Sequence, residues 1–148
     1  MSSPFEVRIV DWKGARADAR PVREAVFVVE QRVPIDLEWD DLDEACDHVI
    51  AYDDSGRAIG TGRLLPDGRI GRMAVLREWR RRGVGAAVLG ALVDRARQRG
   101  LHRVTLHAQT HAAGFYAKYG FAPEGEVFME ADIPHVTMTR TLSRDARD

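Results

Sequence analysis

Residues 77–86 read Arg-Glu-Trp-Arg-Arg-Arg-Gly-Val-Gly-Ala, and from Val84 onward apolar residues recur at helical spacing: Val84, Val88, Leu92 on one line and Leu89, Val93, Ala96 beside it. Arg77, Arg80, Arg81 and Arg82 therefore crowd a helix entrance. That end of a helix already carries about half a positive charge and favours carboxylates. A bound anion resolves the conflict, because free backbone N–H groups, the dipole and the guanidiniums would all face it. Gly83 and Gly85 leave the main chain open to close approach. The competing reading is a solvated basic turn in a chain that uses Arg freely. Two phosphate loops fail on spacing. A Walker loop needs a Lys directly after its last glycine, and a dinucleotide fingerprint needs a third glycine where Val88 stands, in a turn directly after the strand, whereas residues 76–82 intervene here.

Other reactive side chains are scattered. His107 and His111 straddle a strand end and a helix start, and Cys46 and His48 alternate on an extended stretch. Neither pair approaches the three or four ligands of a metal site, so no metal is expected. From Asp36 to Asp47 the chain is rich in carboxylates, with the pattern of a solvated acidic loop; an EF-hand would need glycine where Asp41 stands.

The elements that must position these groups follow from periodicity and breakers. A first strand is expected over 5–12 and a helix over 15–31, with Pro21 near a turn or helix start and the β-branched run Val26-Phe27-Val28-Val29 opposing helix. Strands are expected over 48–52, 58–65 and 69–75, a meander feeding the central helix. A fifth strand over 103–108 must run parallel to the third strand of that meander if the crossover is right-handed. A short helix over 110–119 and strands over 127–131 and 135–141 complete the chain, with residues 143–148 frayed.

The chain has 148 residues, enough for one domain with a full core, and 22 basic against 23 acidic residues give a formal net charge of −1. No global field recruits nucleic acid or a membrane surface. One cysteine suits a reducing compartment, and residues 1–6 lack a signal-peptide pattern, so a cytoplasmic location is expected.

Arg80-Arg81-Arg82-Gly83-Val84-Gly85-Ala86 resembles the (Q/R)-x-x-G-x-(G/A) signature of the GNAT superfamily of N-acetyltransferases, whose helix entrance binds the pyrophosphate of acetyl-CoA. The strand Met73-Ala74-Val75 precedes it, and Gln109, Ala112, Phe115, Tyr116, Gly120 and Phe121 follow at the spacing of the family's N-x-x-A-x-x-(L/F)-Y-x-x-x-G-F block, with Gln for Asn. Segments around Glu30-Gln31, Asp47-His48 and Glu130 to His135 resemble a bacterial subgroup with mostly unassigned acceptors. The resemblance implies an α/β fold: a GNAT-like mixed sheet of about seven strands, with a central βαβ unit whose fourth and fifth strands splay apart, spanning residues 5–142 as one domain. It also implies acetyl-CoA as co-substrate, held by the backbones of Met73, Ala74 and Val75, by residues 80–86 and by Gln109, with Tyr116 assisting the leaving thiolate. Many members of the family form homodimers.

The implied reaction needs a neutral amine, and deprotonating an alkyl ammonium of pKa about 10.4 at pH 7 costs about 4.6 kcal/mol. A base or a desolvating pocket must supply this. Some members carry a glutamate four residues before the first cofactor-binding strand residue; Arg69 stands there. The base is therefore sought among Glu30, His48, Asp47, His111 and His135, with His48 and Glu30 foremost, or in water with no single base. Arg63 and Arg72 on facing strands suit a substrate carboxylate or phosphate, whereas the acidic stretch suits a cationic acceptor. The expected partner is a primary amine on a small molecule or peptide. The rival reading is an idle acyl-CoA-binding regulatory module.

Overall fold

A computed structural model describes residues 5–35 and 42–142. The expected tail over 143–148 and the first half of the acidic stretch lie outside them. Asp11 accepts a hydrogen bond from the Gly14 N–H at 2.9 Å, which ends β1 (Phe5–Val10) and starts α1 (Trp12–Arg23) three residues before the expected helix. Pro21 lies inside α1 rather than at its start. Beyond it the helix widens into a π-helical segment, Glu24–Glu30, whose i→i+5 bonding continues with Gln31 N–H donating to the Val26 carbonyl at 3.0 Å. Four β-branched or aromatic side chains in a row crowd an ordinary α-turn, and the wider turn accommodates them.

The chain continues as β2 (Asp47–Asp53), β3 (Ala58–Leu64), β4 (Arg69–Val75), α2 (Val84–Gln98), β5 (Arg103–Gln109), α3 (Ala113–Lys118), β6 (Ala122–Glu130) and β7 (Ile133–Thr141). Among the described residues these strands form one seven-stranded sheet in the order β1-β2-β3-β4-β5-β7-β6. All neighbours are antiparallel except β4 and β5, as the crossover through α2 requires. Alternation along β2 serves both faces. Ile50 and Tyr52 pack with Ala15 and Ala19 of α1, while Val49 and Ala51 join the larger core with α2. The buried residues of α2 are Val84, Val88, Leu89, Leu92, Val93 and Ala96, the stripe legible in the sequence. Each of the larger ones contributes about 1.5–3 kcal/mol by leaving water. None of the described helices is long and apolar enough to cross a membrane.

The feature that shapes the site is how little β4 and β5 share. They pair only at Arg69 with Thr105 and Ile70 with Leu106, and then part. The cause lies in β4, where the register against β3 shifts between Thr61 and Arg63 and Arg72 takes a left-handed backbone (φ 51°). Such a bulge bends its strand away from one neighbour while the other pairing continues. The closed end of the resulting V is held at Gly68, whose carbonyl accepts from the Thr105 N–H at 3.1 Å. Gly68 has φ 97°, and a Cβ there would lie 2.7 Å from the Arg103 carbonyl oxygen. Gly68→Ala therefore meets both a backbone it cannot adopt and a rigid neighbour. Urea denaturation should show it less stable than wild type by about 1–3 kcal/mol.

Candidate functional site

Between the parted strands lies a cleft of about 1440 Å³, lined by β4, β5, the π segment, the entrance of α2, α3 and the β6–β7 turn. It exceeds the roughly 300–1,000 Å³ of most single-ligand pockets and has room for two reactants. Backbone alternation decides which β4 groups face it. Leu76 N–H donates to the Ile59 carbonyl at 2.9 Å and Ala74 pairs with Thr61, so the N–H and C=O groups of Met73 and Val75 point away from β3 into the gap. Ala74, expected among the cofactor contacts, spends its backbone on β3.

At the mouth, α2 begins at Gly83, whose left-handed conformation (φ 85°) turns the chain so that the first N–H groups of the helix have no side-chain cap. The four arginines divide. Arg80 donates from Nε to the Val75 carbonyl at 3.0 Å and bidentately to Glu30 at 2.9 and 2.7 Å. Arg77 reaches Glu30 at 3.5 Å, and Arg82 stacks 4.9 Å above the Trp79 ring. Arg81 lines the cleft and makes no ion pair among the described residues. Most of the positive charge at this helix entrance is thus already engaged by protein. Gly85 faces Phe115 and Val75, which a Cβ would touch at the ordinary distances of 3.6 and 3.8 Å.

Tyr116, on α3, extends its hydroxyl to 3.8 Å from Met73 Sδ, so it spans the gap from the β5 side to β4. Phe115 and Phe121 pack edge-on against its ring. Burial pushes its phenol up to about 12. Full proton transfer to a thiolate of pKa about 8.5 is then uphill by about 5 kcal/mol, more than an ordinary tyrosine would require, leaving hydrogen-bond donation as what this group can do. Gln109 is not open to a ligand in the way its sequence position suggests. Its amide donates to Gln31 Oε1 at 2.9 Å and accepts in return at 3.5 Å, joining β5 to the end of the π segment. Gln31 was visible in the sequence as the last residue of the expected helix and as part of the Glu30-Gln31 segment, with no partner indicated.

The foremost candidate bases need correction. His48 does not line the cleft: it is buried on β2, its ring tilted against Trp12 with centroids 4.7 Å apart, with Nε2 donating to the Asp43 carbonyl at 2.9 Å. Glu30 does line the cleft, but the hydrogen bonds from Arg80 hold its carboxyl below the usual range, which makes it a weaker base and a clamp for Arg80. Burial pushes the Asp47 carboxyl up, yet bonds from Arg99 and Arg95 outweigh this and engage it.

Within the acidic stretch, Asp43 is buried and accepts from both Arg23 and Arg63 at 2.9 Å, so the charge of Arg63 is met inside the protein. Removing one member of such a buried pair costs about 3–5 kcal/mol. Among the described residues no group of three or more His, Cys, Asp or Glu side chains is arranged to hold a metal.

With the splayed sheet, the open helix entrance and the tyrosine in place, the comparisons identify the class. The description "Acetyltransferase (GNAT) domain" matches residues 16–142, and the chain belongs to the GNAT family of acyltransferases. The uncharacterized N-acetyltransferase YjcF of Bacillus subtilis is 39% identical over 127 residues, covering 83% of this chain and 90% of that protein. An acyl-CoA N-acyltransferase from Pseudomonas aeruginosa, seen in a crystal structure, superposes with a TM-score of 0.81 at 31% identity, covering 92% and 99% of the two chains. The crystal structure of Escherichia coli ElaA gives a TM-score of 0.81 at 28% identity over 91% and 99%.

The placement of His48 has a measurable consequence. Burial holds its imidazole below the ordinary 6.5, so the unfolded chain takes up the proton first as pH falls. Its contribution is intact above pH 6.5 and declines as pH drops from there toward the folded-state value. Thermal melts of His48→Gln should start less stable at pH 7.5 and fall less steeply below pH 6.5 than those of wild type.

Proposed function

We propose that the protein transfers an acetyl group from acetyl-CoA to a primary amine of a small molecule or peptide by direct attack. The observation that carries this reading is the loss of β4–β5 pairing after two rungs, which leaves the main-chain groups of Met73 and the N–H of Val75 as an open ladder edge inside the cleft, the Val75 carbonyl being taken by Arg80. A pantetheine arm carries two amides and can take the place of the missing strand. Its diphosphate then lies at the first N–H groups of α2 at Val84, Gly85 and Ala86, with Arg81 beside them, while Arg80 and Glu30 brace the mouth. The thioester reaches the level of Tyr116, whose hydroxyl strengthens its hydrogen bond as sulfur gains charge. Burial raises the pKa of that phenol, which favours the protonated, donating form.

Release of free CoA from acetyl-CoA, followed with a panel of primary amines, tests the reaction. Turnover with at least one amine supports it, and tight binding with none favours an idle acyl-CoA-binding module. Tyr116→Phe should lower kcat about 10²–10³-fold while leaving acetyl-CoA affinity within twofold. In calorimetry, Gly83→Val should weaken CoA binding tenfold or more, because valine cannot readily adopt the left-handed turn that aims the helix N–H groups; unchanged affinity removes the diphosphate from this position.

A further inference from the structure

The part of the cleft built by β5, β6 and β7 holds a group of polar residues, among them His135, the candidate base not yet placed. His135 is buried on β7 and faces the cleft. Its Nδ1 lies 2.7 Å from the Ile133 carbonyl oxygen. A carbonyl only accepts, so Nδ1 carries the hydrogen, and in the neutral ring Nε2 is left with its lone pair. That nitrogen is 3.6 Å from Glu130 Oε2, beyond a hydrogen bond but within reach as a counter-charge. The other carboxylate oxygen of Glu130 accepts from His107 Nδ1 at 3.0 Å, which fixes the carboxylate from the β5 side. Phe128 stacks on His135 with centroids 6.0 Å apart and meets His107 edge-on at 5.0 Å.

Ala131 and Asp132, the two-residue turn between β6 and β7, both have left-handed backbones (φ 51° and 62°), the geometry that matches the twist of a tight hairpin. The turn brings Glu130 and Ile133 opposite each other, the first beside His135 Nε2 and the second on its Nδ1. Register then separates the two histidines. His107 follows Leu106, the last rung shared with β4, whereas His135 pairs with Gln109 farther along, where the strands have parted.

We infer that His135 is the general base of the transfer, accepting the acceptor's protons at Nε2 with Glu130 as the counter-charge to the imidazolium. This rests on the reaction proposed above. The ammonium of the acceptor gives one proton to Nε2, which passes it to solvent past the half-exposed Glu130. The freed lone pair forms the N–C bond at the thioester carbonyl carbon. The C–S bond breaks with its electron pair on sulfur, which receives the Tyr116 hydrogen bond and is later protonated by water. The acylated nitrogen loses its second proton through the same Nε2.

His135→Asn tests the assignment, because the amide keeps a donor for the Ile133 carbonyl and lacks the second ring nitrogen. With any amine that wild type acetylates, kcat should fall about 10²-fold or more, with acetyl-CoA affinity unchanged, and the acid limb of the kcat/KM profile should disappear. The other titratable and charged groups lining the cleft from β4, β5, the β6–β7 turn and the α3 segment include Arg69, Arg72, His107, Glu130, His111, Tyr116, Lys118 and Tyr119, and all remain in the variant. A variant with wild-type kcat and profile overturns the inference, as does one whose loss of rate is matched by loss of acetyl-CoA affinity. A second readout needs no turnover: long-range ¹H–¹⁵N spectra of wild type should show neutral His135 protonated at Nδ1, and protonation at Nε2 overturns the inference. A wild-type protein that acetylates nothing in the panel fails the functional reading itself and takes the base with it. That outcome is distinct from turnover in which His135→Asn keeps pace.

Discussion

The central constraint is a ladder that stops. Every other strand pair in the sheet runs on for several residues, but β4 and β5 hold hands for two rungs and then separate. Main-chain donors and acceptors without a partner strand keep their hydrogen-bonding capacity, so an open edge inside a cleft favours a ligand that brings its own amides. The bulge at Arg72 produces the opening, the Gly68 turn limits it, and α2 stands at its mouth with its own free N–H groups. The polar backbone is thus concentrated along one line, which is what a long ligand with amides in the middle and phosphates at one end requires.

Charge is distributed around that line more selectively than composition suggests. Three of the four arginines near the helix entrance already interact with Glu30 or Trp79, leaving Arg81 facing the cleft. Deeper in the molecule, one Asp43 oxygen receives two guanidiniums, and His48 adds a bond to the same residue's carbonyl. Both groups look like ligand-binding clusters when only their sequence is considered. Long-range pairing converts them into supports for the cleft walls, and the wall that retains an open nitrogen is the one built by β5, β6 and β7.

What could be seen in the sequence was whatever is encoded locally. The stripe from Val84 to Ala96 is a matter of 3.6-residue spacing, and β4 from Arg69 to Val75 is bounded by Gly68 and the basic turn, so both were legible. The spacing from Gln109 to Tyr116 likewise survives into the structure, with the tyrosine across the gap from Met73. The π segment was not legible, because its wider turn brings Val26, Phe27, Glu30 and Gln31 to one cleft wall by a period that helical pattern reading does not use. Nor was the fate of Asp43, since an acidic run looks solvated until two arginines from α1 and β3 arrive beside it. His135 could be singled out as a histidine, but its freedom at one nitrogen depends on a carbonyl two residues away and on strands that pair out of sequence order.

The paired carboxamides of Gln31 and Gln109 have a consequence of their own. Neither group titrates, and salt screens a neutral hydrogen bond far less than a charged one. The tie between the helical wall and β5 therefore keeps its strength in acid, alkali and brine. The Glu30 bracket, one residue earlier on the same helical segment, is ionic, and it relaxes as electrolyte is added or its carboxylate is protonated. One rim of the cleft is consequently held at a constant gauge, while the rim nearest the helix entrance gives way with the medium.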